Sequence, residues 1–177
     1  MNDKMQLLLD HFEIRELLEA YVHAQDRADA QATIDVYHPD SWDDHGPIKD
    51  TGWNFADSAT RELLTRWEGC LHLLGQSRIR VDGDHGGSET YFYCTMTRQH
   101  DGQDMLDHMM GRYLDKVERR EGEWKIKERT CIVDWSASTP LIEDFVGAAA
   151  FAKGKRSAED LSYRLLGLSR GHSRITR

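Results

Sequence analysis

Apolar positions near the start of the chain recur at helical spacing, with Ile14, Leu17, Leu18, Tyr21 and Val22 on one face of a 3.6-residue period. That face is expected to meet a core. Steps of four along it give Leu18, Val22 and then Asp26, so a carboxylate takes the next place on the buried row. Asp is seldom buried without a partner. A desolvated carboxyl in general becomes a better proton acceptor near neutral pH. Asp26 therefore reads either as a site carboxylate or as a cap or turn acid. Asp29, directly before Ala30 to Val36, reads as the N-cap of a short second helix.

Beyond that helix, Pro39, Gly46 and Pro47 in YHPDSWDDHGP mark turn and loop around one brief strand. A third helix is expected from Phe55 or Asp57 to Trp67, with Asp57 or Ser58 as cap and Gly69 as stop. The composition then shifts to Tyr, Phe, Val, Ile, Thr and Trp in segments around 77–81, 88–98, 105–119 and 123–135, separated by turn signals at 82–87, 100–102 and 120–122. Helices followed by consecutive antiparallel strands predict an α+β domain, with helices on one face of a curved sheet and a pocket between them. Pro140 opens a last portion in which 141–151 and 157–166 read as helices on either side of Lys153-Gly-Lys155. The expected division is a body over 1–138 and a C-terminal helical extension over 139–177, covering the pocket mouth or packing on another subunit.

The 177 residues suffice for one domain with a sizeable core. Acids number 31 against 23 Lys and Arg, a net charge of -8, and no basic stripe crosses the body, which argues against a nucleic-acid partner. The basic cluster Arg164, Arg170, Arg174 and Arg177 belongs to the tail. Cys70, Cys94 and Cys131 stand outside any CxxC, so neither a disulfide framework nor a thiolate zinc site is indicated, and a reducing cytoplasm fits. The first residues lack the basic and apolar regions of a signal peptide, and no stretch approaches the ~18 apolar residues of a membrane span.

Of the nine histidines, His85 and His100 fall in turns, His11 and His23 toward the polar side of the first helix, and His172 in the tail. His72, flanked by leucines in GCLHLLG, is expected to be partly buried, either as a satisfied core histidine or as a site residue. His108 shares a strand face with Leu106 and Met110, as pocket wall or as part of a cross-strand polar pair. Arg129 shares parity with Cys131 and Val133 but not with Trp124 and Ile126. Either both sheet faces are covered there or a bulge intervenes, and a covered Arg needs a carboxylate or an anionic ligand group. The cluster His38-Pro-Asp40-Ser-Trp-Asp43-Asp44-His45 reads as a solvated loop rich in turn acids, without the spacing of a known metal motif. GxSxG, Walker and GxGxxG motifs are absent, which disfavours serine hydrolase, NTPase and dinucleotide chemistry.

Taken in order, Tyr21-x4-Asp26-x2-Asp29, Tyr37-His-Pro-Asp40, His72, Val81-Asp-Gly-Asp84, Gly111-Arg-Tyr-Leu-Asp115 and Gly122-Glu-Trp-Lys-Ile-x2-Arg129 with Asp134-Trp135 resemble the SnoaL-like branch of the nuclear transport factor 2-like superfamily, over about residues 8–136. The resemblance implies a cone-shaped roll, N-terminal helices packed on a curved antiparallel or mixed sheet, with a deep and mostly apolar pocket. Catalytic members such as scytalone dehydratase, ketosteroid isomerase, lindane dehydrochlorinase and bile acid 7α-dehydratase work without metal or organic cofactor. Asp26 and His72 match the Asp–His pair of the dehydratase and dehydrochlorinase members, Tyr21 a pocket Tyr, and Arg129 an Arg found at some sites; His108 fits the pattern less closely. The implied activity is a cofactor-independent lyase of dehydratase type, with isomerisation or carbon–carbon cleavage releasing a small aldehyde as variants. Its substrate would be a hydrophobic aromatic or polycyclic molecule, with Trp42, Trp53, Tyr93, Met109 and Met110 available to line the pocket. A homo-oligomer is expected, a trimer before a dimer. The competing expectation is a non-catalytic ligand binder, or an accessory chain like the β subunit of ring-hydroxylating dioxygenases.

Overall fold

Helix α1 (Asp3–Asp26) presents Ile14, Leu17, Leu18, Tyr21 and Val22 to the interior as the periodicity predicts. Each such burial contributes about 1.5–3 kcal/mol. The computed structural model describes residues 3–171, so the expectations for His172, Arg174 and Arg177 lie outside the described residues. Helix α1 closes in a Schellman motif, with Asp29 N donating to Ala24 O at 2.9 Å and Ala28 N to Gln25 O at 3.0 Å. Ala28 takes the left-handed position at φ 49. Asp29 then caps α2 (Ala30–Asp35) by accepting from Ala32 N at 3.1 Å, as expected.

The next segment departs from the sequence reading. Residues 37–45 form a nine-residue strand β1 (Tyr37–His45), joined by a tight turn to β2 (Ile48–Asp50), where a loop around one short strand was expected. Pro39 is accommodated because the pairing with β6 shifts register between Tyr37 and Trp42, where the ladder does not need its missing N–H. Helix α3 (Gly52–Arg66) starts several turn residues earlier than expected, capped by the Thr51 hydroxyl accepting from Asn54 N at 3.3 Å, not by Asp57 or Ser58.

Strands β3 (Gly69–Asp82), β4 (His85–His100), β5 (Gln103–Arg120) and β6 (Glu123–Pro140) make one long antiparallel meander. Gly69 opens β3 directly. The six-stranded sheet runs β2-β1-β6-β5-β4-β3, with β1 parallel to β6, and it is mixed, curved and unclosed. The helices cover its concave side, and the core lies between, built on Tyr21, Tyr37, Phe55, Phe92, Tyr113, Trp124 and Ile126. Two bulges in β6 explain the parity of Arg129. Register shifts leave Lys127 and Asp134 as extra residues, so Trp124 and Ile126, then Arg129, Cys131 and Val133, then Ser136 and Ser138 all lie on the concave face. Gly111 is required opposite the second bulge, since a Cβ there would meet Ile132 O at 1.9 Å.

After β6 the expected helix over 141–151 is replaced by extended chain and one 3₁₀ turn at Ala148–Ala150, and among the described residues there only α4 (Leu161–Leu166) is α-helical. Ile142, Phe145 and Val146 face solvent, so that apolar stretch has no surface to fold against. The extension is anchored beside the end of α1. Asp160 Oδ2 accepts from Arg27 at 2.7 Å, and Asp29 Oδ2 accepts from the Tyr163 hydroxyl and from Gly171 N, both at 2.9 Å. Among the described residues no helix is long and apolar enough to cross a membrane.

Candidate active site

Asp26 is the last residue of α1 and is 7% exposed, so the row begun by Leu18 and Val22 does end in a buried carboxylate. It faces the concave side of β3. His72 Nδ1 lies 2.7 Å from Asp26 Oδ1, and the backbone N–H of His72 donates to both carboxylate oxygens, at 3.0 and 3.1 Å. One carboxylate thus fixes both the ring and the backbone of the same residue. Burial pulls the imidazole toward its neutral form, but the hydrogen bonds to Asp26 and Cys70 outweigh it and raise His72 to about 10. Nδ1 is occupied by Asp26, so Nε2 is the ring nitrogen left for a substrate.

Cross-strand pairing extends this row along the concave face. His72 pairs with Cys94, Cys94 with Met109 and Met109 with Ser136. A cleft of about 750 Å³ opens beside it, lined by Trp67, Met96 and Met109 together with Arg98, Asp107 and Ser138. It is less apolar than expected. Asp107 accepts from Arg98 at 2.6 and 3.1 Å, from Trp67 Nε1 at 3.0 Å and from Ser138 at 2.6 Å, and the Arg98 hydrogen bond holds its carboxyl down at about 2. A second depression of about 510 Å³, involving Arg78, Glu89, Lys116 and Glu128, lies on the convex face, away from the dyad.

From His72 a wall of rings leads inward: Phe92 at 6.3 Å, then Tyr113 stacked on Phe92 at 4.4 Å, then Tyr21 edge-on to Tyr113 at 5.5 Å. Arg129 is sandwiched between Tyr21 and Tyr113, its guanidinium 4.0 and 4.3 Å from their ring centres. It is held by a bidentate pair to Asp115 at 2.6 and 2.9 Å, and its Nη1 makes no hydrogen bond. Burial pushes the Tyr21 hydroxyl well above its ordinary pKa, against the opposing pull of Arg129.

The sequence reading missed a second Asp–His pair. Asp43 is fully buried, not part of a solvated loop. Its carboxylate contacts His45 Nδ1 and accepts from the Tyr37 hydroxyl at 2.5 Å, while His45 Nε2 lies 3.2 Å from the Tyr21 hydroxyl. With Nδ1–H donated to Asp43, Nε2 accepts from Tyr21. The available signal was the i, i+2 spacing of Asp43 and His45, which places both on one strand face.

Several expected site residues lie elsewhere. His108, Tyr93 and Met110 point to the opposite, convex face, because their parity on β4 and β5 is that of Tyr91 and Arg112, not of Phe92 and Tyr113, although His108 still borders the edge of the cleft. There Tyr93 and His108 form the cross-strand polar pair, hydroxyl to Nδ1 at 2.5 Å, and His108 Nε2 reaches Thr139 at 3.0 Å. Trp42 and Trp53 are about half exposed and do not line the cleft. Met109, in contrast, is part of the cleft wall.

Comparison with known proteins bears on the fold and the family. No curated protein sequence matches the chain. Among solved structures, LinA is 21% identical, with a TM-score of 0.69 over 85% of this chain and 98% of that one. A candidate scytalone dehydratase from Novosphingobium aromaticivorans is 16% identical, with a TM-score of 0.67 over 85% and 99%. A hexachlorocyclohexane dehydrochlorinase, LinA-type3, from Novosphingobium barchaimii is 19% identical, with a TM-score of 0.68 over 80% and 97%. At such identities these likenesses show a shared fold, the nuclear transport factor 2-like cone. The profile of the SnoaL-like domain matches residues 6–130, and the chain belongs to that family.

Proposed function

We propose that the protein is a lyase that eliminates a leaving group from a small molecule, using its own side chains as base and acid. The observation that carries this reading is the Asp26–His72 contact at 2.7 Å, on the concave face two strands from Met109, which borders the cleft. In the abstraction step the neutral imidazole, the minor form below about 10, takes a proton from substrate carbon at Nε2, so turnover is expected to rise with pH toward that value. The charge that develops is stabilised by Asp26, which also keeps the ring in one orientation. Tyr21 gives up its resting hydrogen bond to His45 Nε2 to donate to the departing or developing oxygen, and the Arg129 guanidinium offsets the negative charge left on that oxygen or on the phenol. Its unpaired Nη1 is the free donor for such a group. The fold neighbours described as a dehydrochlorinase and a candidate scytalone dehydratase both carry names of elimination enzymes, which supports the reaction class.

The cleft favours a molecule with an apolar, aromatic or polycyclic body against Trp67, Met96 and Met109 and a polar edge toward Arg98 and Asp107. Retro-aldol release of an aldehyde would use the same acid and base. The test is incubation of purified protein with hydroxylated and halogenated aromatic and polycyclic compounds, following loss of water, hydrogen chloride or aldehyde by mass spectrometry. Turnover that survives the double change Asp26→Asn and His72→Ala sinks the mechanism.

A second reading, an accessory subunit, draws on a fold neighbour described as a candidate aromatic ring hydroxylase and on the exposed Leu71, Leu73 and Trp135 of the convex face. It predicts co-purification with a larger iron-containing chain. The lyase reading predicts a homo-oligomer burying that face, a trimer by sedimentation.

A further inference from the structure

The three thiols look unrelated in sequence, yet antiparallel pairing of β3 and β4 gathers two of them around the catalytic imidazole. Cys70 and His72 are two apart on β3 and share its concave face, and His72 is directly opposite Cys94. Cys70 Sγ lies 3.8 Å from Cys94 Sγ and 3.7 Å from His72 Nδ1, and the two sulfurs and a ring nitrogen of His72 lie within 4.8 Å of one another. No disulfide joins them.

Those spacings can be compared with what a tetrahedral ion needs. Metal–sulfur bonds of about 2.3 Å and metal–nitrogen bonds of about 2.0–2.1 Å hold two sulfurs about 3.8 Å apart, and a sulfur and a nitrogen about 3.6 Å apart. Two edges of the ligand triangle therefore already have the required length. Only the edge from Cys94 to His72 has to close, by roughly 1 Å at most, within the reach of a cysteine χ1 adjustment. The nearest anionic group for a fourth position is Asp26, whose Oδ1 stands 2.7 Å from Nδ1. The donor set of two thiolates and an imidazole selects soft or borderline cations, not magnesium or calcium.

We propose that Cys70, His72 and Cys94 form a binding site for a thiophilic divalent cation such as zinc. Two metal–sulfur bonds and one metal–nitrogen bond form at the ion as the two Sγ–H protons and the Nδ1 proton leave to solvent. Because the ion takes Nδ1, it competes directly with the hydrogen bond that Nδ1–H donates to Asp26, and the cation-bound protein loses the oriented imidazole. The site would thus make the protein sensitive to zinc or cadmium. This goes beyond the proposed elimination, and the binding itself is testable whether or not that reaction is right.

The probe is cobalt(II), added to reduced, chelator-treated protein in a sealed cuvette. One ion per chain is expected to bind, with visible d–d bands of tetrahedral cobalt and near-ultraviolet thiolate-to-cobalt charge transfer, and zinc is expected to displace it. The charge transfer should be lost in the Cys70→Ser, Cys94→Ser double variant and retained in Cys131→Ser. X-ray absorption of the wild-type zinc form needs no variant, and should show two sulfurs at about 2.3 Å and nitrogen or oxygen at about 2.0–2.1 Å. A large excess of cobalt without charge transfer overturns the proposal, as do bands that persist in the double variant or a zinc shell of oxygen and nitrogen alone.

Discussion

Replacing Asp115 by Asn strands the Arg129 guanidinium in the middle of the core. Both side chains of the pair are 0% exposed, and the carboxylate supplies two hydrogen bonds, at 2.6 and 2.9 Å. Arg cannot shed its proton to escape the penalty. An amide oxygen can replace one of the two acceptors, but the amide N–H2 then faces another donor. Removing one partner of a buried pair costs about 3–5 kcal/mol. For a chain of this size each kcal/mol shifts Tm by roughly 2–4 °C, so Asp115→Asn should melt about 6–20 °C lower. Urea denaturation gives the free energy directly. The double change Arg129→Met, Asp115→Leu should recover stability to within about 1 kcal/mol, because well-packed apolar residues replace a buried ion pair at little cost. Turnover in that variant should stay low, since the free Nη1 donor is gone. A loss below about 1 kcal/mol in Asp115→Asn would show that the buried-pair reasoning is wrong. Full activity in the double variant would remove Arg129 from the site.

Other consequences follow from the same contacts. Asp29→Ala removes a cap worth about 0.5–2 kcal/mol and leaves Tyr163 and Gly171 without their acceptor, so trypsin should cut after Lys153 or Lys155 faster than in wild type; an unchanged digestion rate would contradict the anchoring role. Asp107 is held at about 2 against an ordinary 3.8, a depressed carboxyl whose stabilisation is complete above its unfolded pKa and is lost as pH falls through about 2. The stability gap between wild type and Asp107→Asn should therefore be constant from neutral pH down to about 5, and shrink between about 4 and 2. A gap independent of pH to that limit would mean that charge pairing is not its origin. Tyr21→Phe should lower kcat about 10²–10³-fold, the usual effect of deleting one donor to a developing oxyanion, and a change below tenfold would exclude Tyr21 as the donor.

Much of the frame was legible because burial followed period. The row from Leu18 through Val22 to Asp26 predicted a buried carboxylate, and the turn signals at Gly83, Gly102 and Gly122 marked the hairpins of the meander. Strand β1 was not legible. Its inward face carries Ser41, Asp43 and His45, polar residues that satisfy one another and neighbouring tyrosines, so it lacks the apolar alternation that announces a strand. The same lack hid the second Asp–His pair. Parity alone could not tell which face of the sheet His108 shares with Met110, and the bulge at Lys127 that turns Arg129 inward leaves only an ambiguous mark in sequence. The segment 141–151 has helical composition, but composition without a surface to pack on does not make a helix in water. Contacts between Cys70 and Cys94, 24 residues apart, exist only through strand register.

In the proposed mechanism proton transfer belongs to His72, the histidine paired with Asp26, and not to His108. The most direct measurement is kcat of His72→Ala beside kcat of His108→Ala, on the compound identified by mass spectrometry. A loss of about 10²–10⁴-fold is expected for His72→Ala, the size of a general acid–base contribution, and a change within about twofold for His108→Ala. Equal losses in the two variants, or a larger loss in His108→Ala, would contradict that assignment.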